Sequence, residues 1–205
     1  MRTMIAVPSM DQVPSHFARS LAMLERQGEI LLGWEVGSLI YHARNNLAKQ
    51  AIQAEADRVL WLDSDMVFNP KLLTNLAELN VPFATALYCR RVPPFTPTLF
   101  KTLDVSEDGR ASWTEFDEIP DEPFKVAGCG FGGVLVSTDV IMSIESRFGN
   151  CFAPIGGVGE DLAFCWRARQ CGYDIICDPR IEMGHVGHTV ITRSVWEGMK
   201  NADKG

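Results

Sequence analysis

Three groups of side chains carry the chemistry open to this sequence: Asp63 with Asp65, Glu160 with Asp161, and His185 with His188. Asp63 and Asp65 close a short apolar run, Val59-Leu60-Trp61-Leu62, with Ser64 between them. Side chains on a strand repeat every second residue, so both carboxylates project to one side. Two like charges held that close call for a cation beside them; the structural alternative is that one caps the next turn and the other is solvated. Glu160 and Asp161 follow Gly156-Gly157-Val158-Gly159 and open a helical run. Free N–H groups and the helix dipole stabilise carboxylates there whatever their function. The glycine-rich loop in front of them also suits a segment that moves over a site. His185 and His188 each follow a glycine outside any helical pattern. They are hydrogen-bonding histidines or metal ligands. Oxygen ligands with one imidazole suit Mn2+ or Mg2+ better than structural zinc.

The elements that must position these groups alternate strand with helix. Thr3 to Val7 reads as a first strand, closed by Pro8 and a polar loop from Ser9. Ser15 to Gln27 has helical spacing, Ile30 to Val36 a strand pattern, and Ser38 to about Ala56 a longer helix. Arg44, Asn45 and Asn46 fall within that helix, where an exposed face is the ordinary reading. The run ending at Asp63 is then a buried strand, whose carboxyl end is where open α/β sheets bind ligands. Asn69-Pro70 opens a helix to about Leu79, and Phe83 to Tyr88 is another strand. This is the pattern of a parallel sheet with helices on both faces.

The middle of the chain departs from it. Cys89 to Phe100 holds three prolines and the pair Arg90-Arg91, so an extended loop is expected. Leu99 to Val105 and Ala111 to Phe116 flank a turn and read as a hairpin. Gly128, Gly130, Gly132 and Gly133 precede Val134-Leu135-Val136. A strand follows these glycines, so they are no phosphate loop opening a helix; they admit a ligand close to the backbone or form a bulge. Helices from Thr138 to Phe148 and Glu160 to Gln170 come next, then a strand from Tyr173 to Cys177 and an extended piece from Pro179 to Met183.

The 205 residues are 46% hydrophobic and 22% charged, the balance of a folded domain. A net charge of -7 argues against general nucleic-acid binding. No apolar run approaches a membrane span and no signal-peptide core is present, so a cytoplasmic protein is expected. Six cysteines without a Cys-x-x-Cys pair point to buried, reduced thiols.

Taken in order, the strand ending in Asp63-Ser64-Asp65, the Gly130-Phe131-Gly132-Gly133-Val134 segment, Gly159-Glu160-Asp161 with Phe164, Arg167 and Ala168, and Asp178-Pro179 before Gly184-His185 resemble a GT-A glycosyltransferase. More narrowly, the chain is similar to the family 2-like bacterial and phage proteins from Arg44 to about His188. The resemblance implies a single-domain, Rossmann-like α/β/α sandwich over residues 1–192. Its sheet would be mostly parallel, with a small hairpin insertion at about 99–116 and a C-terminal tail over 193–205. It implies metal-dependent transfer of a sugar from a nucleotide-diphosphate donor, a UDP-sugar, to an acceptor hydroxyl by inverting displacement. Asp161 would be the base, with Glu160 orienting the site. Asp63, Ser64 and Asp65 would grip the donor, with Asp63 and Asp65 at an Mn2+ or Mg2+ ion. His185 would complete that metal site, with His188 as its alternative. Pro8 and Ser9 would hold the nucleotide base and Arg44 would approach the nucleotide. No Gln-x-x-Arg-Trp follows the acidic pair, which separates the chain from processive polysaccharide synthases. Two other functions compete: a sugar-phosphate nucleotidyltransferase, which would want a basic loop after the first strand, and a non-catalytic nucleotide-sugar-binding module.

Overall fold

A computed structural model describes residues 1–37, 39–187 and 190–202. The first half of the chain runs β1 (Arg2–Ser9), α1 (Ser15–Met23), β2 (Glu29–Val36), α2 (Ile40–Gln53), β3 (Arg58–Leu62), β4 (Met66–Val67), α3 (Leu72–Glu78) and β5 (Phe83–Leu87). Then come β6 (Leu99–Val105), β7 (Ala111–Glu115), β8 (Phe124–Val126), β9 (Gly128–Cys129), β10 (Gly133–Ser137) and α4 (Thr138–Phe148). The chain closes with α5 (Glu160–Gln170), β11 (Ile175–Glu182), β12 (Gly184–Val186), β13 (Val190–Ile191) and α6 (Arg193–Ala202).

Seven strands form the central sheet in the order β2-β1-β3-β10-β5-β11-β8. Side chains alternate across it, as a strand buried on both faces requires. Met4, Ala6, Val59 and Trp61 enter one core with Leu47, Ile141 and Phe164, from α2, α4 and α5. Ile5, Val7, Leu60 and Leu62 enter the other with Phe17, Leu72 and Leu76, from α1 and α3. The result is a mixed, Rossmann-like α/β arrangement with helices on both faces.

The sheet is less parallel than expected. Five of its seven strands run one way, but β10 is reversed between β3 and β5, and β8 is reversed at the edge. Three of the six pairings are therefore antiparallel. The apolar run of β10 gives no hint of direction, because a strand buried on both faces reads the same either way. Tyr173 to Cys177 and Pro179 to Met183, expected as separate pieces, join in β11 with a register break after Asp178, which accommodates Pro179.

Two pairings position the chemistry. Gly133 of β10 pairs with Leu62, so the glycine segment before it lies beside the strand end that carries Asp63. His185 of β12 pairs with Met66 of β4, and Val186 N–H donates to the Asp65 carbonyl at 2.8 Å. A two-residue strand thus fixes the late histidine beside the acidic pair. β6 pairs with β7 across the 106–110 turn and with β9 on its other side. Trp196 of α6 packs on Cys89 and Ile191. No described helix is long and apolar enough to cross a membrane.

Candidate active site

At the carboxyl ends of β1 and β3 lies a cleft of about 870 Å³. Among the described residues, every one singled out from the sequence lines it: Pro8, Ser9, Arg44, Asp63, Ser64, Asp65, Glu160, Asp161 and His185. His188 lies outside the described residues. The strand ends and the start of α5 meet here because β3 and α5 bury their apolar sides in one core.

His185 Nε2 is 3.3 Å from Asp65 Oδ2. Its Nδ1–H donates to the Cys89 carbonyl at 2.9 Å, which turns Nε2 into the cleft. Adjacent ligands at right angles, each ~2.1 Å from an ion, stand ~3 Å apart. The pair therefore fits two neighbouring positions of one cation. Among the described residues no cluster of three or more His, Cys, Asp or Glu side chains is placed to hold a metal, so any further ligands would be donor oxygens and water. Arg91 Nη1 also donates to Asp65 Oδ2, at 2.6 Å. Burial pushes the Asp65 carboxyl up, but His185 and Arg91 outweigh it and hold the pKa low. Burial likewise disfavours charge on His185, and Asp65 more than offsets this, raising the imidazole pKa.

Asp63 does not join that pair. Its Oδ1 accepts from Arg44 Nη2 at 2.6 Å, while Arg44 Nη1 donates to Glu160 Oε1 at 2.6 Å. Arg44, expected on an exposed helix face, is only 3% exposed. Its guanidinium sits 5.2 Å from the Phe131 ring centre and 5.9 Å from that of Phe152. Burial works against the charge, yet Asp63, Glu160 and Asp161 outweigh it and raise the pKa. Helical spacing could have revealed this, since Arg44 precedes buried Leu47, Ala48 and Ala51 by three, four and seven residues.

Asp161 opens α5 behind Gly159 and accepts from its own helix at Leu162 N–H, 2.7 Å. Burial pushes its carboxyl up to about 6, with Glu160 and Asp63 adding to the rise and Arg44 opposing it. This is the tuning a general base needs near neutral pH. The loop before it, expected to move over the site, is anchored to the 106–111 turn: Ala111 N–H donates to the Gly156 carbonyl at 3.0 Å.

Behind Asp161 lies a second, largely apolar cavity of about 310 Å³, bordered by Tyr88, Phe100, Leu162, Arg91 and His185. The glycine segment makes room for protein side chains. A Cβ on Gly130 would stand 2.1 Å from the Tyr88 hydroxyl, and one on Gly133 2.0 Å from Met183 Sδ. The sequence marked Arg91 only as one of an adjacent arginine pair; its contact with Asp65 depends on how the proline-rich loop folds back. All six cysteines are free, and burial pushes the thiols of Cys89 and Cys151 up to about 12.

No family model matches the chain, and no curated protein matches it in sequence. Its fold is similar to that of A197 from STIV, at 17% identity and a TM-score of 0.65, over 91% of this chain and 86% of that one. It is also similar to GalNAc-T7, whose crystal structure contains UDP, GalNAc and Mn2+. There the identity is 10% and the TM-score 0.57, over 91% of this chain and 44% of that one. At such identities the likeness is one of fold: distant, and GT-A-like.

Proposed function

We propose that this protein is a cation-dependent glycosyltransferase that moves a sugar from a nucleotide-diphosphate donor to an acceptor hydroxyl by inverting displacement. One observation carries the reading: the Asp65–His185 pair and the up-shifted Asp161 face a single cleft. Its described walls bring four carboxylates, Asp63, Asp65, Glu160 and Asp161, against two guanidinium groups, Arg44 and Arg91. A diphosphate entering such a cleft needs further positive charge. A divalent cation held by Asp65 and His185 would supply it, and would act as a Lewis acid toward the leaving diphosphate.

The chain's own groups divide the remaining work. The acceptor oxygen bonds to the anomeric carbon as the bond from that carbon to the phosphate oxygen breaks. Asp161 takes the acceptor's proton, and the nucleoside diphosphate leaves. General-base help of this kind is typically worth about two to four orders of magnitude. Arg44 holds Glu160 beside Asp161 and Asp63 at the strand end, so the base and the donor grip keep a fixed separation. Pro8 and Ser9 offer a wall for the nucleotide base, with the Ser9 hydroxyl oriented by Trp34 Nε1–H at 2.7 Å. The UDP in the GalNAc-T7 structure makes a uridine donor the first to try.

The test is incubation with Mn2+, a panel of nucleotide sugars and hydroxyl acceptors, following nucleoside diphosphate release. Acceptor-stimulated release that needs Mn2+ and disappears in Asp161→Asn supports the reading. Pyrophosphate release from a nucleoside triphosphate and a sugar phosphate would instead identify a nucleotidyltransferase. Nucleotide-sugar binding without turnover would identify a binding module.

A further inference from the structure

We infer that Arg91 is a donor-binding residue, whose guanidinium rests on Asp65 and passes to the donor's diphosphate when the cation–nucleotide pair enters. The inference builds on the proposed transfer reaction. It starts from what the two cleft guanidinium groups are free to do. Arg44 is 3% exposed with each Nη on a carboxylate and its unpartnered Nε buried, so it cannot swing to a phosphate without breaking those pairs. Arg91 is different: its side chain is 56% exposed and, among the described residues, its ion pair is with Asp65 alone.

The loop around it favours such a transfer. Arg90 N–H donates to the Thr96 carbonyl at 2.9 Å, and Phe95 N–H to the Val92 carbonyl at 2.9 Å, so the loop backbone is closed on itself. The Arg90 side chain is held by Glu115 at 2.7 Å. Arg91 can therefore change partner by side-chain rotation alone. It borders both the main cleft and the second cavity.

Competition for one oxygen gives the inference its sign. Arg91 Nη1 occupies Asp65 Oδ2, the same oxygen that faces His185 Nε2. A cation seated by that pair must share or displace the guanidinium. Arg91 therefore opposes cation binding on its own and assists binding of the nucleoside diphosphate. A residue that merely shaped the loop would not move these two affinities in opposite directions. The competing pair is exposed, and such pairs are worth little, so its removal tightens the bare cation by about two- to fivefold. A guanidinium contact to phosphate is charge-assisted, and its loss weakens the nucleotide by about tenfold or more.

The experiment titrates Mn2+ alone, then UDP and other nucleoside diphosphates with Mn2+ held constant, into wild type, Arg91→Ala, Arg91→Lys and Arg90→Ala at low salt. Tighter Mn2+ and weaker nucleoside diphosphate in Arg91→Ala, with Arg90→Ala like wild type, support the inference. Arg91→Lys keeps the charge without the fork, so it should fall between the two, and it carries the test if alanine disturbs the loop. Unchanged affinities, or both falling together, overturn the inference while leaving the transferase reading intact. A wild type that binds neither Mn2+ nor any nucleoside diphosphate overturns both.

Discussion

Arg44 Nη2 lies 2.6 Å from Asp63 Oδ1, and that contact joins the two acidic centres of the molecule, because the other arm of the same guanidinium holds Glu160. The carboxylates after β3 and those opening α5 are nearly a hundred residues apart in sequence. One buried cation from α2 sets their spacing. Arg44→Met should therefore cost stability, since it leaves two carboxylates unpaired against an apolar wall. Breaking a buried pair from one side costs about 3 kcal/mol or more, readable by denaturant titration. Arg44 also opposes the rise in the Asp161 pKa. A correctly folded Arg44→Gln should show the acid limb of its pH–rate profile moved toward alkaline pH; a limb that stays in place would break the link between Arg44 and Asp161.

Asp161→Asn should stabilise the protein while abolishing transfer. The native carboxyl, pushed up to about 6, holds its proton where the unfolded chain has released it. Folding stability from this group is therefore full at low pH and is lost as pH rises between roughly 4 and 6. Asparagine does not titrate, so its advantage appears above that window. At ~1.4 kcal/mol per pH unit of displacement the gain is at most ~3 kcal/mol. Melting curves at pH 7.5 and pH 4 check this: a higher Tm for the variant at the first and little difference at the second. Equal melting temperatures at pH 7.5 would show that Asp161 is not strained by its burial.

Much of this site could be read before any coordinates. The strand ending at Asp63, the helix opening at Glu160 and the glycine before His185 each carry a local signature, and all of them line the same cleft. The contacts between them do not follow from local pattern. The reversal of β10 leaves no mark on an apolar run, and the partner of Asp65 depends on a two-residue strand pairing. Arg44 was legible in principle, because its spacing to Leu47 and Ala51 places it on the buried stripe. An arginine there contradicts the usual preference of charges for water, so composition and periodicity point in opposite directions. Only the two carboxylates waiting at the far end of its side chain resolve that conflict.

Transfer activity should rise with pH through about 6 and level off above it, as Asp161 becomes able to accept a proton. Below that midpoint the rate should fall about tenfold per pH unit, the slope of a single required deprotonation. Single-turnover rates at saturating donor isolate this limb from donor binding, where His185 and Asp65 would also titrate. A rate independent of pH between 4.5 and 7.5 would remove Asp161 from the role of base.

Asp63 and Asp65 should behave as different residues despite their shared motif. Asp65 Oδ2 faces His185, whereas Asp63 Oδ1 faces Arg44. Asp65→Ala should therefore abolish metal-dependent nucleotide binding while the protein still melts cooperatively, because its present partners, Arg91 and His185, both reach the cleft. Asp63→Asn should do the reverse. It should retain Mn2+ affinity to within a few-fold but lower stability by about 2 kcal/mol, since a charge-assisted bond to a buried guanidinium becomes a neutral one. Mn2+ titration and denaturant melts on the two variants decide the matter. If Asp63→Asn loses Mn2+ as completely as Asp65→Ala, both carboxylates hold the ion and Arg44 must release Asp63 to let it do so. If stability alone moves, the first carboxylate of the motif serves the frame of the site and the second serves its ligand.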